Sequence, residues 1–436
     1  MHSAVASALP DTEADRRAWH LALAAFGPDD AASSALEQAG QRAYQRSAYD
    51  VASRAFERAA LLDQSVRHVS EPGLAVAIEH LRGHIAIHRG PVTGGQQILL
   101  AAAGRAAPVN PERAVVMLAE AAYASFTAGD AATMLLAAER VASLAAPDLN
   151  GRIAFFTLIT RGMALIFSGQ DEPGAPAVRQ AVEVLERSDE LRDEPRLLAW
   201  AAMGSIWLRE ADIGRALLYR ALDAARRKSA IGALPFMLLH VAIDQAGTDR
   251  WAEAQAGFHE AIGLAREIGQ HSDLALALAF SARLEARLGR SEQSRTHADE
   301  ALSLSRKLDL GVAEVWAIAA LGDLELGQGR PEAALAHFEK LRVVLRSRGI
   351  LDADLSPVPK LVGIYLRLGR GPEAAKIAGD FTRDANIKGQ PWALARAARC
   401  RGQLAAEGES DPHFETALAL HGRTADAFET ARTHLA

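Results

Sequence analysis

The chain has 436 residues, of which 49% are hydrophobic, 23% are charged and 6% are aromatic. This balance is typical of a globular protein and excludes a disordered, collagen-like or purely coiled-coil chain. The formal net charge is -6, with 48 Lys and Arg against 54 Asp and Glu, so no basic excess is available to neutralise a phosphate backbone and no direct binding of nucleic acid is expected.

The amino terminus and the apolar segments are those expected of a cytoplasmic protein. No basic segment followed by an apolar stretch occurs at the start, so a secretory signal is not predicted. The longest apolar stretch, residues 153–167, contains Arg161 and falls short of the roughly 20 residues that a membrane span needs. The single cysteine, Cys400, cannot form an internal disulfide, and we expect it to be a small buried residue of a helix.

A repeat of 40 residues organises the chain. One column recurs at this interval, and five of its seven members are glycine: Gly129, Gly169, Arg209, Asp249, Gly289, Gly329 and Gly369. Helix ends often place one residue in the left-handed region of backbone conformation, where a Cβ atom is disfavoured. The column therefore predicts a tight turn between two helices in each repeat.

Apolar columns on both sides of the turn define the two helices. Eleven residues before the turn lie large aliphatic residues, namely Leu158, Leu198, Leu238, Leu278, Ile318 and Val358. Four residues later lie mostly small ones, namely Gly162, Ala202, Ala242, Ala282, Gly322 and Val362. A spacing of four places both columns on one face of a helix A, and an apolar column nine residues after the turn marks a helix B. The small column allows helix B to pack closely against helix A.

About ten such hairpins fit between residues 14 and 420, and no strand pattern of useful length is present. We therefore predict an all-α solenoid that spans residues 1–436 as a single domain, with weak sub-boundaries near residues 70–73 and 409–412. A single repeat cannot bury its apolar face alone, so the stability of the solenoid is expected to come from stacking of neighbouring repeats.

Residues 321–338, Leu-Gly-Asp-Leu-Glu-Leu-Gly-Gln-Gly-Arg-Pro-Glu-Ala-Ala-Leu-Ala-His-Phe, resemble a tetratricopeptide repeat (TPR) motif. They combine the small residue of helix A, a Gly-Arg turn and the Glu-Ala-Ala-Leu opening of helix B. The standard TPR has about 34 residues, so a 40-residue repeat implies lengthened helices, and HEAT-type helix pairs remain an alternative. The resemblance implies a TPR-like right-handed superhelix.

The two ends of the chain resemble large ATP-binding LuxR-type transcriptional regulators. The segment with Asp15-Arg-Arg-Ala-Trp-His, Gly27-Pro-Asp-Asp and Phe56-Glu-Arg-Ala-Ala is similar to the region after their ATPase module, and residues 417–435 are similar to the last hairpins before their DNA-binding domain. The resemblance implies the TPR-like sensor region of such a regulator. No Gly-x-x-x-x-Gly-Lys-[Ser/Thr] loop occurs, so ATP binding does not carry over to this chain. The recognition helices of the family would be expected beyond residues 417–435, so DNA binding does not carry over either.

Motifs of hydrolytic or redox chemistry are absent from the sequence. Gly-x-Ser-x-Gly, His-Glu-x-x-His, paired cysteines and Gly-x-Gly-x-x-Gly do not occur, so we predict no enzymatic activity, no catalytic residue and no cofactor. His80, His84 and His88 are spaced four apart on one helix face, but the first and third lie about 12 Å apart along a helix. We interpret them as a solvated or groove-facing stripe and predict no metal site.

The concave groove of the predicted solenoid supplies the candidate binding residues. In TPR-like solenoids the groove is lined by helix A residues two positions before the large aliphatic and one position after the small residue. These columns mix aromatic, charged and flexible side chains, and we select Phe156, Met163, Arg196, Met203, Phe236, Arg283, Trp316 and Asp323. Ordinary core packing is the alternative for Phe156, Met163, Met203 and Phe236, whereas charged residues are rarely buried without a partner.

The sequence thus predicts a non-enzymatic scaffold whose concave groove binds a protein, a peptide or a small-molecule effector, as the sensor region of a LuxR-type regulator. The alternative is a free-standing TPR adaptor that binds a peptide or a partner helix in the same groove. No contact with a membrane is expected, and the oligomeric state is left open.

Overall fold

The computed structural model describes residues 1–46, 48–62, 72–144, 151–424 and 426–436. These residues form 23 α-helices and no β-strand, so the predicted all-α fold is confirmed. The helices are α1 (His2–Ala8), α2 (Ala14–Ala24), α3 (Asp30–Gln45), α4 (Tyr49–Leu62), α5 (Pro72–Arg89), α6 (Val92–Ala106), α7 (Pro111–Ala128), α8 (Ala131–Leu144), α9 (Gly151–Phe167), α10 (Asp171–Arg187), α11 (Pro195–Trp207), α12 (Ala211–Arg227), α13 (Leu234–Gly247), α14 (Trp251–Ile268), α15 (His271–Arg287), α16 (Ser291–Leu308), α17 (Gly311–Gly327), α18 (Pro331–Ser347), α19 (Val358–Arg367), α20 (Gly371–Lys388), α21 (Pro391–Leu404), α22 (Asp411–His421) and α23 (Ala427–His434).

Helices α3 to α22 form hairpins in which each odd-numbered helix packs against the even-numbered helix that follows it. The odd-numbered helices are the predicted helices A and the even-numbered ones the predicted helices B. The pairs from α3–α4 to α21–α22 are the roughly ten hairpins that the periodicity predicts. The small column has the predicted role, since a Cβ atom on Gly322 would lie 2.7 Å from the Phe338 ring, and one on Gly162 would lie 2.7 Å from Val178 Cγ2.

The predicted turn column adopts the left-handed conformation at all seven positions, including the two that are not glycine. The φ angles are 58° at Arg209 and 59° at Asp249, against 71° at Gly129. After each turn residue, the next backbone N–H returns to the carbonyl five residues earlier, as in the bond of 3.0 Å from Glu210 N to Ser205 O. This bond satisfies a carbonyl at the end of helix A and offsets the strain of the left-handed residue.

A second left-handed column, which the sequence analysis missed, lies 20 residues out of phase with the first. Its members end the even-numbered helices and are Ser229, Gly269, Asp309, Gly349 and Gly389. The repeats from α11–α12 to α19–α20 therefore contain two equivalent helix ends, one within the hairpin and one after it.

Successive turns of the superhelix touch each other, because helices ten positions apart in the chain are in contact, as α5 with α15, α7 with α17 and α10 with α20. Backbone and side-chain bonds cross this boundary. Arg348 Nη1 donates to Ala128 O at 2.7 Å, Leu351 N donates to Phe167 O at 3.1 Å, and Ser272 Oγ donates to Ile87 O at 2.6 Å. Five hairpins thus complete one turn, and the next turn lies directly on it.

The segments of the two predicted sub-boundaries, residues 70–73 and 409–412, differ in how much of them the structure describes. Residues 405–410 are not helical and α22 begins at Asp411, so the segment predicted at 409–412 is irregular only in its first two residues. Ser70 and Glu71 lie outside the described residues, and Pro72 is the first residue of α5. The sub-boundaries themselves stay predictions. Cys400 is buried in the main apolar core, as predicted. No helix in the described ranges is both long enough and apolar enough to cross a membrane.

The contact between turns makes a specific prediction at Gly311, the first residue of α17. A Cβ atom there would lie 2.2 Å from Ala128 O, a backbone atom of the preceding turn. We expect Gly311→Ala to lower the free energy of unfolding by about 1–3 kcal/mol, measured by urea denaturation, because the turns must move apart. The matched control is Gly263→Ala on α14, where no atom lies within 4 Å of the added carbon and a small gain from helix propensity is expected. Equal effects of the two substitutions would contradict the inter-turn contact.

Candidate functional site

The odd-numbered helices line the inside of the superhelix, which we call the lumen. The predicted groove residues lie on five of these helices, α9, α11, α13, α15 and α17. They fall into three groups: side chains in the apolar core, a buried charge cluster around Glu120, and the wall of a lumen cavity.

Phe156 and Met163 belong to the apolar core of the structure. Both are almost fully buried, and Phe156 packs edge to face on Trp200 with ring centroids 5.6 Å apart. Met203 is equally buried but lines the lumen cavity. Phe236 is partly exposed and packs on Tyr123 and His240. Phe156 and Met163 thus pack in the apolar core, and their contact with a ligand stays a prediction.

Arg196 joins a buried charge cluster that the sequence analysis did not anticipate. Its Nη2 donates to Glu120 Oε1 at 2.6 Å, and its guanidinium lies 5.6 Å from the centroid of the Trp200 ring. The side chain of Glu120, on α7, is 0% exposed. His84 Nδ1 lies 3.1 Å from Glu120 Oε2, and His80 Nε2 lies 3.1 Å from Oε1. One buried carboxylate thus holds an arginine and two histidines.

Burial and mutual charge set the protonation of this cluster. Burial alone would raise the pKa of Glu120, but Arg196, His80 and His84 hold it well below its usual range. Burial lowers the pKa of His84 to about 3 although Glu120 opposes the shift, so His84 is neutral at neutral pH. The cluster therefore carries an ionised carboxylate whose main counter-charge is the Arg196 guanidinium.

The interpretation of the histidine stripe needs a correction. The stripe faces the lumen, but it is not solvated: His80 and His84 are buried, and His88 lies 3.4 Å from Asp273 on α15 of the next turn. Sequence spacing places the three imidazoles on one face but does not show that Glu120, 36 residues beyond His84, comes between them and Arg196. In the part of the chain that the structure describes, no group of three or more His, Cys, Asp or Glu residues is arranged to hold a metal ion.

A cavity of about 140 Å³ lies in the lumen beyond the Glu120 cluster. Its apolar wall is rich in aromatic rings and consists mainly of Phe126, Phe167, Met203, Trp207, Phe280 and Trp316. Its charged residues are Arg209, Arg283, Asp352 and Asp354. Phe126 and Phe167 belong to one turn of the superhelix and Trp316 and Asp352 to the next. We call this space the lumen cavity.

The two aspartates of the lumen cavity lie on the segment before α19 and are bound by cations of other helices. Lys388 Nζ lies 2.6 Å from Asp352 Oδ1 and 3.0 Å from Asp171 Oδ1, and Arg209 Nε lies 2.9 Å from Asp354 Oδ2. Burial raises the pKa of Asp352 to about 6 in spite of Lys388. Burial would also raise the pKa of Asp354, but Arg209 and Lys388 lower it. Three carboxylates share two cations at this edge.

Arg283 and Trp316 also line the lumen cavity, and Asp323 lies next to Arg283. The Arg283 guanidinium stacks 4.8 Å from the centroid of the Trp316 ring, which itself packs on Phe280. Arg283 Nε lies 3.8 Å from Asp323 Oδ2, beyond hydrogen-bond distance, whereas Lys360 Nζ donates to Asp323 Oδ1 at 2.5 Å. Two of the predicted groove residues, Arg283 and Trp316, are thus neighbours on the lumen cavity.

Several residues of the cavity wall were not selected from the sequence. Arg209 belongs to the turn column, in which five of seven residues are glycine. Its departure from glycine was the feature of the sequence that could have indicated a functional role. Trp207 and Phe167 end their helices A, outside the two columns used to define the groove. Asp352 and Asp354 lie between α18 and α19 in a segment without repeat register, so no column could include them.

Comparisons with known proteins agree with this architecture. Residues 273–344 match the tetratricopeptide repeat family, and residues 209–288 match anaphase-promoting complex subunit 5. Neither family is a catalytic one. No curated protein is significantly similar in sequence to the chain.

Three solved structures share the fold. The Rap protein complexed with competence and sporulation factor gives a TM-score of 0.55 at 12% identity, covering 73% of this chain and 95% of its own. NprR in complex with its cognate peptide NprX gives 0.53 at 12% identity, covering 89% and 99%. The APC/C hetero-tetramer Cut9–Hcn1 gives 0.52 at 12% identity, covering 92% and 76%. At these identities the likeness shows the fold alone, and the predicted TPR-like solenoid is confirmed.

The buried histidine of the Glu120 cluster predicts a dependence of stability on pH. His84 has a folded pKa near 3 against 6.5 in a model compound, so the unfolded chain takes up a proton between these values that the folded chain does not. Stability is therefore highest above pH 6.5 and falls as the pH decreases, by at most about 1.4 kcal/mol per pH unit from this group.

We expect His84→Gln, which cannot titrate, to lose less stability than the wild type between about pH 7 and pH 5, measured by urea denaturation at each pH. Carboxylates with pKa values below this range contribute little to the difference. His259→Gln, at an exposed position of α14, serves as the control and should keep the wild-type slope. A slope for His84→Gln equal to that of the wild type would contradict the buried neutral imidazole.

Proposed function

We propose that this chain is a non-enzymatic sensor scaffold that binds an effector in the lumen cavity, as the sensor region of a LuxR-type transcriptional regulator. The observation that carries the proposal is the position of the cavity, whose wall combines Phe126 and Phe167 of one turn with Trp316 and Asp352 of the next. An effector in this cavity contacts both turns. It therefore favours the conformation in which the two turns are in contact. A sensor acts on an attached switch by changing the balance between two such conformations.

The similar structures support an effector of this kind. The Rap structure is a complex with competence and sporulation factor, and the NprR structure is a complex with its cognate peptide. Both chains share the fold of this one over most of their length. The ends of the chain supply the second support, because they resemble the sequences that flank the sensor region in LuxR-type regulators. The expected cytoplasmic location and the expected effect on transcription, through the rest of the regulator, are parts of this proposal.

The second candidate function is a free-standing adaptor that binds a peptide or partner helix. Its support is the likeness to Cut9–Hcn1, a protein complex. An α-helix with its side chains is about 10–12 Å wide and does not fit a cavity of about 140 Å³. An adaptor of this type would have to separate the two turns and break contacts such as that between Arg348 and Ala128. The geometry therefore favours the small effector.

Thermal shift screening of a metabolite and short-peptide library tests binding in the lumen. We expect compounds that raise the melting temperature of the wild type to lose this effect in Trp316→Ala, because the indole forms part of the cavity wall. Tyr219→Ala removes an aromatic side chain from the exposed face of α12 and should keep the response. Compounds that stabilise Trp316→Ala as well as the wild type would place the effector elsewhere and contradict the proposal.

The reading frame around the coding region separates the two candidate functions. We expect the frame to continue upstream into a phosphate-loop ATPase and downstream into a helix-turn-helix, as in LuxR-type regulators. DNA sequencing of both flanks measures this directly. Stop codons close to both ends would contradict the regulator and favour the adaptor.

A further inference from the structure

Arg283 carries a positive charge that the described side chains leave only partly compensated. The nearest carboxylate, Asp323, is 3.8 Å from Arg283 Nε and accepts its short bond from Lys360. The Nε atom of Arg283 is buried and has no hydrogen-bond partner among the described residues. The same holds for Nε of Arg287, one helical turn further along α15.

Other carboxylates near Arg283 accept hydrogen bonds from other donors. Glu429 on α23 accepts from Arg399 Nη2 at 2.6 Å and from Arg432 Nη1 at 3.1 Å. Asp426 accepts from the Trp392 indole at 3.2 Å and from the backbone N–H of Glu429 at 3.0 Å. Arg283 and Arg287 stack instead on aromatic rings, at 4.8 Å from Trp316 and 4.3 Å from Phe428. A buried donor without an acceptor is costly, and an anion from outside would remove that cost.

The pKa of Arg283 is consistent with this charge imbalance. Burial, and after it the charge of the neighbouring Arg287, lower this pKa to about 9 against the opposing effects of Asp323, Asp426 and Glu429. The guanidinium is still charged at neutral pH, so it can bind an anion there.

The size and the lining of the lumen cavity define the rest of the ligand. A cavity of about 140 Å³ is close to the roughly 150 Å³ of an engineered apolar cavity in another protein that binds benzene. Its wall is formed mainly by Phe126, Phe167, Trp207 and Phe280, which suit one ring or a short branched chain. The carboxylates of Asp352 and Asp354 also line the cavity and would repel a dianion such as phosphate. A ligand with a single negative charge next to Arg283 is repelled less than a dianion.

We propose that the lumen cavity binds a small organic monocarboxylate, with the carboxylate on the Arg283 guanidinium and a ring-sized apolar body against the aromatic wall. This inference rests on the proposed function and names the chemical class of its effector. Arg283 acts as the residue that distinguishes an anion from a neutral molecule of the same shape. The aromatic wall supplies affinity without distinguishing the two.

Calorimetric titration of the full chain with three probes of one shape tests the inference. The probes are phenylacetate, its neutral isostere 2-phenylacetamide and the cation 2-phenylethylamine. We expect phenylacetate to bind about tenfold more tightly than the amide or better, because it gains charge-assisted hydrogen bonds, and the amine to bind more weakly than the amide. In Arg283→Gln the preference for phenylacetate over the amide should disappear, and in Arg283→Lys it should be partly retained.

Arg266→Gln is the matched control, because Arg266 lies on the outer helix α14, pairs with Glu300 and does not line the cavity. It should keep the wild-type preference, and circular dichroism melting should show that every variant is folded. Equal binding of phenylacetate and the amide by the wild type would overturn the inference, while lumen binding itself, and with it the proposed function, would stand. Failure of all three probes to bind would also overturn it, and the proposed function would then be judged by the library screen with Trp316→Ala.

Discussion

The contact between successive turns of the superhelix is the constraint on which the rest of this structure depends. Left-handed residues end the odd-numbered helices from α7 to α19 and the even-numbered helices from α12 to α20. They help to set the angles between consecutive helices, and five hairpins close one turn. The next turn then lies close enough for Arg348 to bind a backbone carbonyl of α7. An open solenoid would present a broad concave groove. Here the facing walls meet, and the groove becomes a lumen that holds side chains and a small cavity.

Closure of the lumen explains why so many charged residues are buried. A charge on helix A of an open solenoid would face water, but in this chain it faces another helix of the same turn or of the next. Desolvation is costly unless each charge finds a partner. Glu120 with Arg196 meets this condition within one turn, and Lys388 with Asp171 meets it between turns. Arg283 meets it only in part, because Lys360 takes the nearer oxygen of Asp323. Among the described residues, the buried charges therefore tie the turns together and leave Arg283 only partly compensated beside the cavity.

The sequence was sufficient to predict what recurs in every repeat. The 40-residue turn column identified the left-handed positions even where Arg209 and Asp249 replace glycine, because position in the period carried the signal. Ser229 and Asp309 hold the same conformation, but their column mixes residue types and was missed. Contacts between turns were not predictable, since they join residues about 180 to 220 apart whose separation depends on small angles summed over ten helices. Arg283 and Trp316 could be selected from the sequence because they lie in the repeat columns that define the groove, whereas Asp352 and Glu120 lie outside those columns.

Closure also determines what a bound effector can do. A wall that combines Phe167 of α9 with Leu355, which lies just before α19, exists only while the two turns are in contact. A ligand that fills the cavity is therefore bound more weakly by any conformation in which the turns have separated. At a concentration of one hundred times its Kd, such a ligand stabilises the wound state by about 2.7 kcal/mol if the separated state does not bind it. This is comparable to a few of the hydrogen bonds that join the turns, such as that from Leu351 to Phe167. A small molecule can therefore change the balance between two windings of this superhelix without replacing the contacts that hold it together.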